Sequence, residues 1–162
     1  MKLPAILRGG HNVVLDTMVF IYCFEDDPQY AGLCEQLILQ AAAGLFTGIV
    51  TPVTAAEVLV KPLRVGRLDL ADRYRDALRS LQNIRMTGIS PETGFMAGAL
   101  RAKYGLPLPD MIQVAVALES QSTALVTNDK ALQRIKEVSI VPLDSLLSLP
   151  TPRVRQPGQT PR

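Results

Sequence analysis

The chain has 162 residues, 48% of them hydrophobic and 20% charged, with a net charge of +2. That length suits one domain with a full core and is short for two, and the balance is that of a soluble globular protein. No run approaches the ~20 apolar residues of a membrane span. The apolar patch before Arg8 is too short for a signal peptide, and Cys23 and Cys34 have no CxxC spacing, so reduced cysteines and a cytoplasmic setting are expected.

The elements alternate from the start. Val13, Val14 and Leu15 form a short apolar strand that ends at Asp16, and Met18 to Phe24 reads as a short helix closed by Glu25-Asp26-Asp27. Asp27 suits the N-cap and Pro28 the first position of a second helix, which runs to about Ala43 and stops at Gly44. Leu45 to Thr51 is the second strand, rich in β-formers. Thr54 caps a short helix, Ala55 to Val60, which Pro62 should cut off.

Leu68 to Leu81 is amphipathic, with Leu70, Tyr74, Ala77, Leu78 and Leu81 on one face and charges on the other. Ile84 to Gly88 is a weak third strand. Ser90 and Pro91 open a helix that ends at Tyr104 before Gly105. Leu106 to Pro109 reads as a proline-bounded loop, and Asp110 to about Ser120 as a helix apolar nearly all round, hence buried. Ala124 to Val126 is a strand, Lys130 to Lys136 a short helix, Val138 to Val141 the last strand, and Pro142 to Leu149 a closing helical turn or two.

Strands alternating with helices predict a three-layer α/β/α sandwich around a mostly parallel sheet of four to five strands. One domain is expected over residues 1–149. Residues 150–162 carry Arg153, Arg155 and Arg162, four prolines and no acid, which predicts a disordered basic tail and leaves the body at −1.

A Ser-His-Asp triad or a multi-histidine zinc site would have to rest on the only histidine, His11, which sits in a Gly-Gly-His-Asn turn and reads as a loop residue. Chemistry must come from carboxylates. Four stand at strand ends or in apolar surroundings: Asp16, Glu57, Asp110 and Asp129. Singly, each has a structural explanation. Asp110, Asp129 and Asp16 precede helices, and an N-cap is worth about 1 kcal/mol; Glu57 could be an exposed helix residue. Together they point elsewhere. Two end strands of a parallel sheet and so lie on one edge. Gathered carboxylates repel unless a cation joins them, and an all-oxygen set suits Mg²⁺ or Mn²⁺ rather than zinc. Such a site is equipment for cutting phosphodiesters.

From Lys61 to Arg85 there are seven basic residues against three aspartates, a local net of +4 that would attract a polyanion. Lys61, Arg64 and Arg67 follow Glu57 directly and are the candidates to hold its phosphates. The other reading of the segment is a solvated helix face.

The segments VVLDTMVFIY, TPVTAAEVLVKPLRVGR, LPLPDMIQVAVALESQSTALVTNDKAL and VSIVPLD, in this order, resemble the PIN-domain family and, within it, VapC-type toxins of toxin–antitoxin pairs. The resemblance spans about Val13 to Leu147. It implies a Mg²⁺- or Mn²⁺-dependent endoribonuclease, usually a homodimer, held inactive by a cognate antitoxin whose tail occupies the active-site groove. By position it makes Asp16, Glu57, Asp110 and Asp129 the acidic catalytic and metal-binding site, with Thr17, Thr127 and Asn128 as polar support. Where the family commonly has Ser or Asn two residues after the first Asp, this chain has Met18, so a supporting hydrogen bond is missing or comes from Thr17. Two other readings compete. One is a catalytically weak or inactive module of the same fold that binds RNA or protein. The other is an aspartyl-phosphate phosphatase with Asp16 as nucleophile, which would call for a second Asp at the position of Met18.

Overall fold

The computed structural model describes residues 3–147. The basic tail expected at residues 150–162, and the end of the closing helix at 148–149, lie outside the described residues.

Five strands form one sheet in the order β3-β2-β1-β4-β5, and every neighbouring pair is parallel. They are β1 (Asn12–Leu15), β2 (Thr47–Val50), β3 (Ile84–Met86), β4 (Ala124–Thr127) and β5 (Ser139–Pro142). The helices are α1 (Thr17–Phe24), α2 (Ala31–Ala42), α3 (Pro52–Arg64), α4 (Leu68–Ser80), α5 (Pro91–Tyr104), α6 (Leu108–Glu119) and α7 (Leu143–Leu147).

Alternation along the strands divides the core in two. Val13, Leu15, Val50, Ala124 and Val126 pack with Val19, Phe20, Leu37, Val58 and Leu146 from α1, α2, α3 and α7. Val14, Ile49 and Leu125 face the other way, onto Ala97 and Leu100 of α5 and Met111 and Val114 of α6. This is the expected three-layer sandwich, with a sheet that is wholly parallel and therefore covered on both faces. The strand order reverses direction between β1 and β4. Parallel sheets open a crevice at such a point, beyond the carboxyl ends of the strands, and here those ends lead into Asp16 and Asp129.

Several boundaries differ from the sequence expectation, each for a local reason. Helix α3 begins at Pro52 with Thr51 as its N-cap, and the hydroxyl of Thr51, not of Thr54, accepts a bond from the Thr54 amide. Pro62 does not stop this helix. It lies within the last turn, so the bond its missing amide forfeits and the bend its ring imposes touch only the end of the helix, and its ring is buried. Helix α6 begins at Leu108, so Leu108 and Pro109 are its first turn rather than a loop, with Pro at a position that needs no amide donor. Helix α2 starts at Ala31 rather than Pro28, because the Asp27 carboxylate is used in a turn, accepting from the amides of Gln29 and Tyr30. The segment after Asp129 is a 3₁₀ turn, Lys130–Arg134. Strands two and three are shorter than expected, Thr47–Val50 and Ile84–Met86.

Candidate active site

Asp16 leaves β1 in an extended conformation and occupies the N-cap position of α1, yet its side chain caps nothing. It is 6% exposed. Gln113 Nε2 donates to its Oδ1 at 3.0 Å and Thr127 Oγ1 to its Oδ2 at 2.5 Å. A buried carboxylate is tolerable when its oxygens accept such bonds. Asp16 is thus fixed by the helix below it and the strand beside it.

The next residue serves a different acid. Thr17 Oγ1 donates to Glu57 Oε2 at 2.6 Å, which ties α1 to α3 and draws the half-buried Glu57 toward the crevice. Thr127 works twice, because its hydroxyl also accepts the Asp129 amide at 3.0 Å. Asp129 does act as a cap: its Oδ1 accepts the Ala131 amide at 2.8 Å, leaving Oδ2 for another partner. Asp110 is no cap. Pro107 holds the N-cap position of α6, and Asp110 stands inside the first helical turn.

Asp16, Thr17, Met18, Glu57, Asp110, Asn128 and Asp129 all line one open cleft of about 530 Å³, with Ile21, Tyr22 and Val60 as its apolar wall. Four elements therefore deliver the four acids to one place. The Asp110 carboxyl is pushed up to about 6, first by partial burial and then by the negative charges of Asp16, Asp129 and Glu57. Asp110 feels all three of its counterparts.

Among the described residues, however, no three His, Cys, Asp or Glu side chains converge into a ready-made metal cage. The two observations concern different ranges. Charges act across a cleft, whereas shared coordination needs oxygens within about 2.1–2.6 Å of one ion. The donor set fits a hard divalent cation: it is all oxygen, its charges repel, and among the described residues nothing donates to Glu57 Oε1, Asp129 Oδ2 or either Asp110 oxygen.

Of the basic candidates, Lys61 pairs with Glu25 on the surface, and Arg67 forms a two-point pair with Asp69 at 2.8 and 2.7 Å. Arg67 holds the Asp69 carboxyl down, to about 2. Arg64 is exposed. Lys61 and Arg64 follow Glu57 by four and seven residues and so share its face of α3; Arg67 lies past the helix end, with its charge already occupied.

Gln113 is the residue the sequence reading overlooked. It is 2% exposed, it holds Asp16, and its own Oε1 is buried with no hydrogen-bond partner. The signal was present: Gln113 is a polar residue set in the apolar run Met111-Ile112-Gln113-Val114-Ala115-Val116, three positions after Asp110 and so on the same helix face.

The family model for the PIN domain matches residues 13–138. Comparison with curated proteins finds no match. Among solved structures, the chain is similar to VapBC2 from Rickettsia felis bound to a promoter DNA fragment, at 18% identity and TM-score 0.63, covering 81% of this chain and 98% of that one. It is similar to a toxin–antitoxin complex from Klebsiella pneumoniae at 25% identity and TM-score 0.61, covering 80% and 95%. A third match is DNA-bound VapBC from Salmonella typhimurium, at 16% identity and TM-score 0.62, covering 82% and 98%. With the family model spanning residues 13–138, most of its length, this chain belongs to the PIN domain family.

Proposed function

We propose that the chain is a Mg²⁺- or Mn²⁺-dependent endoribonuclease and the toxin of a toxin–antitoxin pair. PIN domains are typically nucleases that use divalent ions, and the similar structures are themselves VapBC or toxin–antitoxin complexes. The observation that carries the reading is the gathering of four carboxylates in one cleft at the sheet's switch point, where partial burial first and then the other three acids raise the Asp110 carboxyl. Four carboxylates kept together without a local cation are costly to the fold and make sense as an ion site.

Asp16, Glu57, Asp110 and Asp129 would hold the ion, and when bound it supplies Lewis-acid stabilisation of the charge that develops on a phosphodiester. The residues of the chain do the rest. Gln113 and Thr127 keep Asp16 from turning away, and Thr17 keeps Glu57 in the cleft. Asn128 offers an amide at the cleft wall. A carboxylate not engaged by the ion can take a proton from the attacking water. Lys61 and Arg64, on the Glu57 face of α3, would hold substrate phosphates, with Arg67 joining if it releases Asp69. A cognate antitoxin and a second copy of the chain are the proposed protein partners.

RNA cleavage is the test. Wild type should cut with Mg²⁺ or Mn²⁺ and lose the activity in EDTA, while Asp16→Ala and Asp110→Asn should lose at least about a hundredfold. Equal cleavage by wild type and both variants would overturn the assignment. Met18, half-buried in the cleft wall, favours the second reading, a module of weak or no catalysis. That reading gains if Mn²⁺ titration shows no binding that depends on Asp16 and Asp110.

A further inference from the structure

We infer that the free edge of β3 docks an extended segment of a partner protein in which apolar and acidic residues alternate. This surface is separate from the carboxylate cleft, and the inference stands whether or not the chain cuts RNA.

Strand β3 is an edge of the sheet, paired only with β2. The Asn83 carbonyl accepts from Gly48, and the Thr87 amide donates to the Val50 carbonyl. By the two-residue alternation of a strand, Asn83, Arg85 and Thr87 turn their backbone groups to β2, and Ile84 and Met86 turn theirs outward. Among the described residues, neither Ile84 nor Met86 donates or accepts a backbone hydrogen bond outside the ladder. Met86 is 47% exposed on this edge. A row of free amides and carbonyls is the template that strand addition uses.

What singles out this edge is a cavity on each of its faces. On the α3–α4 side a hollow of about 360 Å³ is lined by Ala55, Leu59, Leu78, Ile84 and Met86, with Arg75 and Arg79 at its border. On the α6 side a second hollow of about 350 Å³ is lined by Arg85, Thr87, Gly88, Val116 and Glu119. An added strand sends alternate side chains to opposite faces. One set would enter the apolar hollow and the other would meet Arg85.

Charge selects the occupant. Arg75 is paired with Asp72, while Arg79 and Arg85 have no carboxylate partner among the described residues; Arg79 borders the apolar hollow, and Arg85 lines the other, where both oxygens of Glu119 accept from Ser90 and Thr93 at the start of α5. Arg85 calls for acidic residues on its face. A second copy's β3 would set Arg85 against Arg85, and the chain's own residues 150–162 are basic; both are disfavoured on charge. A partner strand alternating apolar and acidic residues satisfies both hollows and the edge.

The probe is a fluorescent peptide of alternating Val and Glu, measured by anisotropy against the full chain. It should bind at least about tenfold tighter than the same peptide with Lys for Glu. N-methylation of its pairing amides should abolish binding, and hydrogen exchange at Ile84 and Met86 should slow in the complex. Arg85→Glu should weaken the Val-Glu peptide and strengthen the Val-Lys one. Met86→Pro removes an outward amide that the β2 ladder does not use, and should also abolish binding. Equal binding of the Glu and Lys peptides, or unchanged binding after N-methylation, would overturn the inference. The peptide arms decide it even if Met86→Pro fails to fold.

Discussion

Replacing Asp110 by Asn should stabilise the metal-free protein at neutral pH, because the native fold holds this carboxyl against its neighbours. The folded value is about 6 against an ordinary 3.8, with burial the first cause and Asp16, Asp129 and Glu57 the next. At ~1.4 kcal/mol for each tenfold change in proton affinity, the gap amounts to at most about 3 kcal/mol. Asp110 is partly exposed to water, which screens such terms to about half or less. A carboxylate in the first turn of α6 also gains ~0.3–1 kcal/mol from the helix dipole, which the Asn forfeits. The net gain expected from Asp110→Asn is therefore about 1 kcal/mol, or about 3 °C in melting temperature for a domain of this size. The sign with pH follows from the raised value. The group's favourable contribution is full below about 3.8 and is lost as pH rises through about 6. Thermal melts in EDTA should then show the Asn variant ahead of wild type at pH 7.5 and level with it near pH 4. Mg²⁺ should reverse the order at pH 7.5, since the wild type alone has the full set of charges for the ion. If the Asn variant melts at or below wild type in EDTA at pH 7.5, the carboxylates do not strain one another and the reasoning fails.

Three further outcomes are expected. Gln113→Leu removes a donor to Asp16 together with the unpartnered Oε1, two effects of about 1–3 kcal/mol and opposite sign; urea unfolding should move by less than about 1 kcal/mol while divalent-ion affinity falls about tenfold. Gly48→Ala places a Cβ 2.7 Å from Ile84 Cγ1 in the β2–β3 pair and should cost about 1–3 kcal/mol by the same unfolding assay, with Ile84→Val in the same chain recovering part of it. Cys34, fully buried and with its thiol pushed up to about 12 chiefly by burial, should resist a thiol reagent at pH 8 until the chain unfolds, whereas Cys23, partly exposed, should label first.

The sandwich was legible because its signals are local and repeated. Val13-Val14-Leu15 and Ala124-Leu125-Val126 are continuous apolar runs, as strands covered on both faces must be, and the helices between them keep a 3.6-residue period. What failed was prolines and helix starts. Pro62 reads as a breaker, but so near the end of α3 it leaves the rest of the helix intact, and burial of its ring offsets the bond it forfeits. Pro107 and Pro109 read as a loop, yet the first turn of a helix has no use for the amides they lack. In each case the residue's local meaning depends on where the helix ends, and tertiary packing decides that.

The acids were legible for a different reason: a carboxylate bordered by apolar residues is costly unless it has work to do, so Asp16, Glu57, Asp110 and Asp129 stand out in one dimension. Their supports do not. Which hydroxyl or amide holds which acid depends on contacts between residues 97 to 111 positions apart, such as Gln113 to Asp16 and Thr127 to Asp16. The absence of a hydroxyl or amide at Met18 suggested a gap that Thr17 would have to fill. Thr17 instead bonds Glu57, and Asp16 draws both of its donors from elsewhere, one from the end of β4 and one from inside α6. Met18 is thereby released from any duty toward Asp16 and lines the cleft as an apolar residue. The hydrogen bond expected from within one turn of Asp16 comes here from farther along the chain, from a glutamine whose isolation in an apolar helix is the price of holding Asp16.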